Sequence, residues 1–301
     1  MKRLLKQSDF ENYHVVTSPP RHEFHCWAGA PDAVYDPAAD RFYIVYRVRE
    51  PERRGFEARI DESADGINFT TVKTFSASEF YCPSIERSAI LKDPKTGLFK
   101  LYLAVDHRPW RILKLDDVSD VRDFNSATAR PVLEAAPDAP DNGHVKDPFI
   151  FVAPDGLYRM YYIGHGGNRE ETYLATSRDG ETWERSDKNP IMKNCGWHDF
   201  FTRPACLLPL DDGYAFYYEG SGDKWFDKIF NVQTGVGFTT DLETIEDRSP
   251  EGPALMTSTP GGRLGTLRYL SCVEAKGKVF AYYEAARPDD SHELRVSVIE
   301  E

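Results

Sequence analysis

Residues 173–185 read YLATSRDGETWER, a strand-like run that ends in an Asp-Gly turn and a following tryptophan. The same arrangement, an Asp followed four residues later by an aromatic or aliphatic side chain, occurs four times. It begins at Asp65, Asp120, Asp179 and Asp241, with spacings of 55, 59 and 62 residues. Self-similarity at a nearly fixed period indicates a repeat architecture.

Each repeat also carries an alternating aromatic run upstream of the turn. Five tyrosines mark these runs, and their successive spacings are 56, 60, 56 and 65 residues: Tyr46, Tyr102, Tyr162, Tyr218 and Tyr283. Period-two patterning with aromatic and β-branched residues favours strands. Because no segment keeps a 3.6-residue period, the sequence predicts little helix and about four strands in each of five units.

Five four-stranded units predict an all-β, five-bladed β-propeller, since radial repetition protects sheet edges. The predicted single domain spans residues 1–301, with blades at about 29–75, 83–133, 144–192, 199–255 and 262–301. The last unit stops after its third strand, so residues 12–18 are expected to close it as the fourth. A series of two-sheet sandwiches is the alternative fold.

Composition and net charge argue against several classes of function. The 301 residues carry a formal net charge of −12, which disfavours a nucleic-acid or anionic-membrane partner. No apolar run approaches the length of a membrane span, and no secretory leader is recognisable, so a cytoplasmic protein is expected. The five cysteines form no C-x-x-C pair, so no zinc site is predicted. We expect no cofactor, with a structural cation in the central channel as the open option, and the oligomeric state stays undetermined.

Charged residues precede the first strand of every unit, 14 to 16 positions before the marker tyrosines. They are Asp32, Glu86, Asp147, Arg203 and Arg268. First strands line the channel of a propeller, so these side chains should converge. Glycoside hydrolysis needs one carboxylic acid and one carboxylate, which three such groups could supply.

The catalytic prediction is that Asp32 is the base and Glu86 the acid, with Asp147 tuning the pKa of the acid. Glu219, directly after Tyr218, is the alternative acid. The competing interpretation is that these groups only form salt bridges between blades. Rings can stack on sugar faces, and charged groups can hold hydroxyls, so we predict twelve substrate-binding residues: Trp27, Arg47, Arg87, His107, His144, Lys146, His165, Trp197, His198, Arg203, Arg268 and Glu284.

Four stretches resemble known enzymes: GAPDAVYDPAADRFYIVYR (29–47), YCPSIERS (81–88), HVKDPFIFVAPDGLYRMYY (144–162) and YLATSRDGETWER (173–185). They are similar to the five-bladed propeller glycosidases, which include arabinanases, xylosidases, invertases, levansucrases and β-mannoside phosphorylases. The resemblance implies a base or nucleophile at Asp32, a supporting carboxylate at Asp147 and an acidic position at Glu86. The chain lacks the Asn-Asp-Pro opening of invertases and the Glu-Cys or Glu-Gly-Pro motif where the acid usually lies.

The predicted function is therefore hydrolysis of a glycosidic bond in a small-molecule or oligosaccharide substrate, with inversion as the resemblance implies. Two alternatives remain. The segments YRVR (46–49) and YYEAARPDD (282–290) resemble the mannoside phosphorylases, so cleavage could depend on inorganic phosphate. A non-catalytic sugar-binding propeller would keep the tryptophans but lack a working acid and base.

Overall fold

The computed structural model describes residues 3–166, 169–259 and 261–300. Strands dominate these residues, which confirms the predicted all-β class. The helices among them are short 3-10 segments: Gln7–Phe10, Ala77–Phe80, Val121–Asp123, Ser126–Thr128 and Gly196–His198. In the described part of the chain, no helix combines the length and the hydropathy that a bilayer crossing requires.

After β1 (His14–Thr17), the strands form consecutive antiparallel groups. The first group is β2 (Trp27–Asp36), β3 (Arg41–Arg49), β4 (Glu57–Ser63) and β5 (Thr70–Ser76). The second is β6 (Ile85–Lys92), β7 (Phe99–Asp106), β8 (Trp110–Lys114) and β9 (Arg130–Leu133). The third is β10 (His144–Val152), β11 (Tyr158–Gly166), β12 (Arg169–Ser177) and β13 (Glu184–Arg185).

The fourth group is β14 (Phe201–Pro209), β15 (Tyr214–Ser221), β16 (Gln233–Thr239) and β17 (Glu246–Asp247). The fifth is β18 (Leu267–Ala275), β19 (Lys278–Ala286) and β20 (His292–Glu300). β13 and β17 are only two residues long. Beyond them, single bridges from Thr172 to Met192 and from Thr234 to Leu255 continue the pairing.

The N-terminal strand completes the last group. β1 runs antiparallel to β20, with His14 opposite Val296 and Val15 opposite Arg295. The sequence predicted that residues 12–18 would pair with the last strand of this group, which is β20. The predicted end of the last blade, residue 301, lies outside the described residues.

The groups are arranged in a cyclic order of contacts. The first strand of each group contacts the first strand of the next, and β18 of the fifth group contacts β2 of the first. Hydrophobic clusters lie between consecutive groups. For example, Tyr43 of the first group packs edge-on against Phe99 of the second, with ring centroids 5.0 Å apart.

The repeated Asp turns join neighbouring groups. Oδ1 of Asp65 accepts hydrogen bonds from the backbone of Ile67 and Asn68 within the turn. The carbonyl of Gly66 accepts a hydrogen bond from the Tyr282 hydroxyl at 2.9 Å. Tyr102 bonds the Gly180 carbonyl of the next turn in the same way. A side chain at Gly66 would meet the ring of Phe280 at 2.7 Å, and φ there is +76°, so the turn requires glycine. The motif that revealed the repeat therefore stabilises the contacts between groups.

Candidate active site

Every first strand carries a register shift near its start. The shifts lie between residues 29 and 32, 85 and 88, 146 and 149, 204 and 206, and 268 and 271. Such bulges redirect side chains and are frequent beside active sites. Asp147 and Tyr269 lie in two of them with φ of 53° and 54°, a conformation that non-glycine residues rarely adopt.

The bulges explain why the predicted triad of carboxylates does not share one pocket. Glu86 and Asp147 lie within the bulges of β6 and β10, whereas Asp32 follows the bulge of β2. Asp32 lines a cavity of about 520 Å³ further along the first strands, where it accepts from the Ile90 amide and from Ser271. The structure therefore does not support Asp32 as the base beside Glu86.

A cavity of about 40 Å³, which we call the mouth cavity, lies at the start of the first strands. The residues that line it are Trp27, Arg49, Arg54, Glu86, Lys146, Arg203, Ile229, Phe230, Arg268 and Tyr269. The first strands bring five of the sequence-predicted site residues to this cavity: Trp27, Glu86, Lys146, Arg203 and Arg268.

Glu86 is held by arginines at the mouth cavity. Nε of Arg47 donates to its carboxylate at 3.0 Å, Nε of Arg54 donates at 3.2 Å, and a nitrogen of Arg49 lies 3.9 Å away. Although burial opposes ionisation, these cations hold the pKa of Glu86 well below its usual range. A carboxylate that stays ionised cannot donate a proton, so these contacts favour a base over the predicted acid role for Glu86.

Two further buried carboxylates complete the ion pairs of this region. Glu284 contacts Arg268 at 2.7 Å, Arg47 at 3.0 Å and His292 at 2.6 Å. It also accepts from the Ala30 amide, and a side chain at Gly29 would collide with it. Burial lowers the pKa of His292 to about 4, so this ring is neutral at physiological pH.

Glu170 serves the third side of the cluster. It contacts Lys146 at 2.9 Å, Arg203 at 2.6 Å and His144 at 3.2 Å. These cations hold its pKa well below the usual range despite complete burial. Glu170 is therefore a fixed negative charge that orients Lys146 and Arg203.

Cations outnumber carboxylates in this layer. Six cationic side chains, Arg47, Arg49, Arg54, Lys146, Arg203 and Arg268, share three carboxylates, Glu86, Glu170 and Glu284. Arg49 is the least compensated, because its nearest carboxylate oxygen, on Glu86, is 3.9 Å away and its buried Nε has no hydrogen-bond partner among the described residues. Its guanidinium lies 4.4 Å from the Trp27 ring, and burial with neighbouring arginines lowers its pKa to about 10. The mouth cavity is therefore suited to an anionic group.

A second layer lies directly beneath Tyr269. The Tyr269 hydroxyl donates to Asp147 at 3.3 Å, and the Tyr269 amide donates to Glu219 at 2.5 Å. Burial raises the pKa of Glu219 to about 7, against the opposing effect of Arg203, Arg268 and Arg87. Burial also raises the pKa of Asp147. Glu219 can therefore hold a proton near neutral pH, as a general acid must.

The other predicted binding residues occupy various places. Arg47 is buried between Glu86 and Glu284, and His144 stacks on His165 with ring centroids 4.4 Å apart. Arg87 lies deeper, where its guanidinium donates to the carbonyls of Pro204 and Ala205.

Three further predicted residues neither line the mouth cavity nor take part in its ion pairs. His107 lines a separate cavity of about 560 Å³ and contacts the Phe80 carbonyl at 2.7 Å. Trp197 stacks on Trp225, with ring centroids 5.6 Å apart, and His198 is fully buried beside Thr202. The structure gives no support for direct sugar contact by His107 or His198.

The prediction missed several residues of the cluster: Arg49, Arg54, Glu170, Tyr269, His292 and Phe230. Arg49 had a usable signal, because alternation places it on the same face of β3 as Arg47. Glu170 lies on β12, the third strand of its group, and Phe230 lies in the long loop before β16. No repeated spacing marks either position in the sequence.

Similarity to known proteins is found at the level of three-dimensional structure. No family model matches the sequence, and no curated protein matches it. Among solved structures, the chain is similar to BT0996 in its complex with RGII, at 15% identity and a TM-score of 0.73, covering 97% of this chain and 93% of that one. It is also similar to a glycosyl hydrolase from Bacteroides ovatus, at 16% identity and a TM-score of 0.67, covering 99% and 96%.

A third similar structure is a β-1,2-mannobiose phosphorylase from Listeria innocua in complex with β-1,2-mannobiose. Its identity is 13% and its TM-score 0.65, with 97% of this chain and 95% of that chain covered. At these identities the likeness concerns the fold. The chain thus shares the fold of these solved structures.

Proposed function

We propose that the chain is a five-bladed β-propeller enzyme that cleaves a glycosidic bond at the mouth cavity. The cyclic contacts among the first strands, the tyrosine bonds to neighbouring turns and the β1–β20 pairing support a closed ring of five blades. The similar structures support a glycan-processing activity. One is a complex with RGII and another a complex with β-1,2-mannobiose, which favours an oligosaccharide as substrate.

The observation that carries the proposal is the opposite ionisation of two carboxyl groups in one cluster. Arginines keep Glu86 ionised, whereas burial raises the pKa of Glu219 to about 7. Pairs of carboxyl groups whose environments push their pKa values apart define acid and base roles in glycosidases. Glu86 lines the mouth cavity, and Glu219 lies behind it, where it accepts from the amide of Tyr269, a residue that lines the cavity.

In the proposed reaction, Glu219 donates its proton to the leaving glycosidic oxygen as that bond breaks. Glu86 accepts a proton from a water molecule whose oxygen forms the new bond to the anomeric carbon. The products are a sugar with a free reducing end and the released alcohol, and both carboxyl groups regain their states by exchange with solvent. This scheme predicts inversion, which requires about 6.5–9.5 Å between the two carboxyl groups.

The excess of cations favours one second candidate, phosphorolysis. In that reaction inorganic phosphate replaces water and attacks the anomeric carbon, so a sugar phosphate forms. Arg49 and Arg54 are the residues best placed to hold the phosphate, because Arg49 lacks a full partner and Arg54 is half exposed. The same side chains could instead hold one carboxylate of an acidic sugar.

We expect substrate entry to involve movement of the segment 222–231. The mouth cavity, at about 40 Å³, is small for a sugar ring. Ile229 and Phe230 line it, and Ile229 is 49% exposed. We therefore expect these two side chains to swing outward when a sugar binds.

A panel of aryl glycosides and short oligosaccharides, each incubated with and without inorganic phosphate, tests the proposal. Cleavage without phosphate indicates hydrolysis, and cleavage only with phosphate indicates phosphorolysis. Glu86→Gln and Glu219→Gln should both lose turnover while still binding substrate. Binding without any cleavage by the unmodified protein across the panel would instead indicate a sugar-binding propeller.

A further inference from the structure

Three side chains that carry possible metal-binding atoms lie close together, and none of them lines the mouth cavity. They are Cys195, which precedes the short helix before β14, His198, which is the last residue of that helix, and Asp247, which ends β17. Sγ of Cys195 lies 3.5 Å from Nε2 of His198, and this nitrogen lies 3.5 Å from Oδ2 of Asp247. All three atoms fall within 4.8 Å of one another.

The two separations that involve His198 match a tetrahedral zinc site. Zinc binds thiolate sulfur at about 2.3 Å and nitrogen or carboxylate oxygen at about 2.0–2.2 Å. At tetrahedral angles, such bond lengths place ligand atoms roughly 3.3–3.6 Å apart. The two measured separations of 3.5 Å lie in this interval.

The surrounding hydrogen bonds orient the histidine as a ligand. The Thr202 oxygen lies 2.7 Å from Nδ1 of His198, and the Thr202 hydroxyl has two other acceptors, Oδ1 of Asn194 and the His198 carbonyl, so Thr202 can accept from Nδ1. In the tautomer with the ring proton on Nδ1, Nε2 carries a lone pair and lies 3.5 Å from both Sγ of Cys195 and Oδ2 of Asp247.

The hydrogen bonds of Asp247 also leave one of its oxygen atoms available to a metal ion. One carboxylate oxygen, Oδ1, accepts from the Tyr218 hydroxyl at 2.8 Å and from the Ser249 amide at 3.0 Å. The other, Oδ2, is buried and has no hydrogen-bond partner among the described residues. Two lone-pair carriers, Oδ2 and Nε2, thus face each other, an arrangement that a cation between them would stabilise.

We propose that Cys195, His198 and Asp247 bind one zinc ion, with water at the fourth position. Binding forms three metal–ligand bonds, and the thiol proton of Cys195 passes to solvent. The site would fix the segment 195–198 against the outer strand β17. Because Trp197 of that segment stacks on Trp225, the metal would also hold the base of the segment 222–231.

Cobalt titration of untagged protein, stripped of metal with a chelator, tests this site. Co²⁺ is the probe because tetrahedral coordination by a thiolate gives a charge-transfer band in the near ultraviolet. We expect one Co²⁺ per chain, displaced by one equivalent of Zn²⁺. Cys195→Ser should abolish the charge-transfer band, and Thr202→Val, which removes the orienting oxygen, should weaken binding by about 10–100-fold.

His14→Gln is the matched control for His198→Gln, because His14 is exposed on β1. It should bind Co²⁺ as the unmodified chain does, whereas His198→Gln should lose the site. If the His198 variant fails to fold, the titration of the unmodified chain and of Cys195→Ser still decides. Absence of the charge-transfer band at one equivalent, or its persistence in Cys195→Ser, would overturn the proposal.

Discussion

Nε of Arg47 donates a 3.0 Å hydrogen bond to the carboxylate of Glu86, and the two side chains are almost completely buried. A buried guanidinium at this distance favours the ionised carboxylate strongly. This contact assigns Glu86 to the base side of the proposed reaction. It also ties the base to Glu284, because Arg47 contacts both carboxylates.

Glu86→Gln should reduce kcat by about 10²–10⁴-fold, the range for loss of general base catalysis. The amide cannot accept a proton from water, although it has the shape of the carboxylate. Substrate affinity by calorimetry should change much less than kcat. Glu57→Gln is the matched control, because Glu57 lies on β4 and its ion pair with Arg59 is partly exposed. Equal loss of kcat in both variants would contradict the assigned role.

Asp32→Asn should leave kcat within a few-fold of the unmodified chain, because Asp32 lines a different cavity. Its effect should appear in stability. Burial raises the pKa of Asp32 to about 6, from roughly 4 in the unfolded chain. The stabilisation from this raised pKa is complete below pH 4 and is lost as pH rises through about 6.

The variant cannot titrate at this position, so it should lack that decline. Denaturant unfolding of both proteins between pH 4 and pH 7 measures the difference. We expect the stability of the unmodified chain to fall relative to Asp32→Asn by on the order of 2–3 kcal/mol across this interval. A difference in unfolding free energy that is independent of pH would contradict the raised pKa, and a loss of turnover would restore Asp32 as a catalytic candidate.

Arg49→Met should raise the thermal midpoint while weakening anion binding. Methionine keeps the packing on Trp27 but removes a buried charge that lacks a full partner. Phosphate should stabilise the unmodified chain in thermal unfolding, and we expect about tenfold weaker binding in the variant, equivalent to about 1.4 kcal/mol. Arg59→Met, on β4 outside the mouth cavity, should bind phosphate normally. If phosphate stabilises neither protein, the anion subsite is excluded.

Phe10→Ala should destabilise the chain by about 3–5 kcal/mol, because Phe10 is fully buried against Tyr283 beside the N-terminal strand. Val15→Ala is the control, since Val15 lies on β1 but is 46% exposed and should change stability by less than about 0.5 kcal/mol. Urea unfolding of both variants gives the comparison. Similar small effects would mean that the segment before β2 contributes little to the closure of the fold.

The sequence predicted the repeat well because strand alternation and Asp turns are local signals. The partner of residues 12–18 could be inferred because the last unit lacked a fourth strand. The site was harder. Counting residues back from the marker tyrosines does not reveal a bulge in the strand. The count therefore aligns Asp32 with Glu86, although Ala30 is the residue of β2 that occupies the bulge position of Glu86 in β6.

The ionisation states depended on contacts that no linear pattern contains. Glu86 and Glu219 are both acidic residues beside strands, and only their surroundings separate them. Arg47 and Arg54 approach Glu86 from another strand and a loop, while Glu219 is buried with one oxygen lacking a hydrogen-bond partner among the described residues. The proposal that Glu219 rather than Glu86 is the acid rests on these long-range contacts.

The pH dependence of kcat/KM for glycoside cleavage, compared between the unmodified chain and Glu219→Gln, tests the central claim most directly. Because burial raises the pKa of Glu219 to about 7, its acid form predominates below that pH and disappears above it. We expect the rate to fall as pH rises through about 7, and Glu219→Gln to lose both this limb and about 10²–10⁴-fold of the activity toward poor leaving groups. Retention of the same alkaline limb and full activity in Glu219→Gln would contradict the proposed acid.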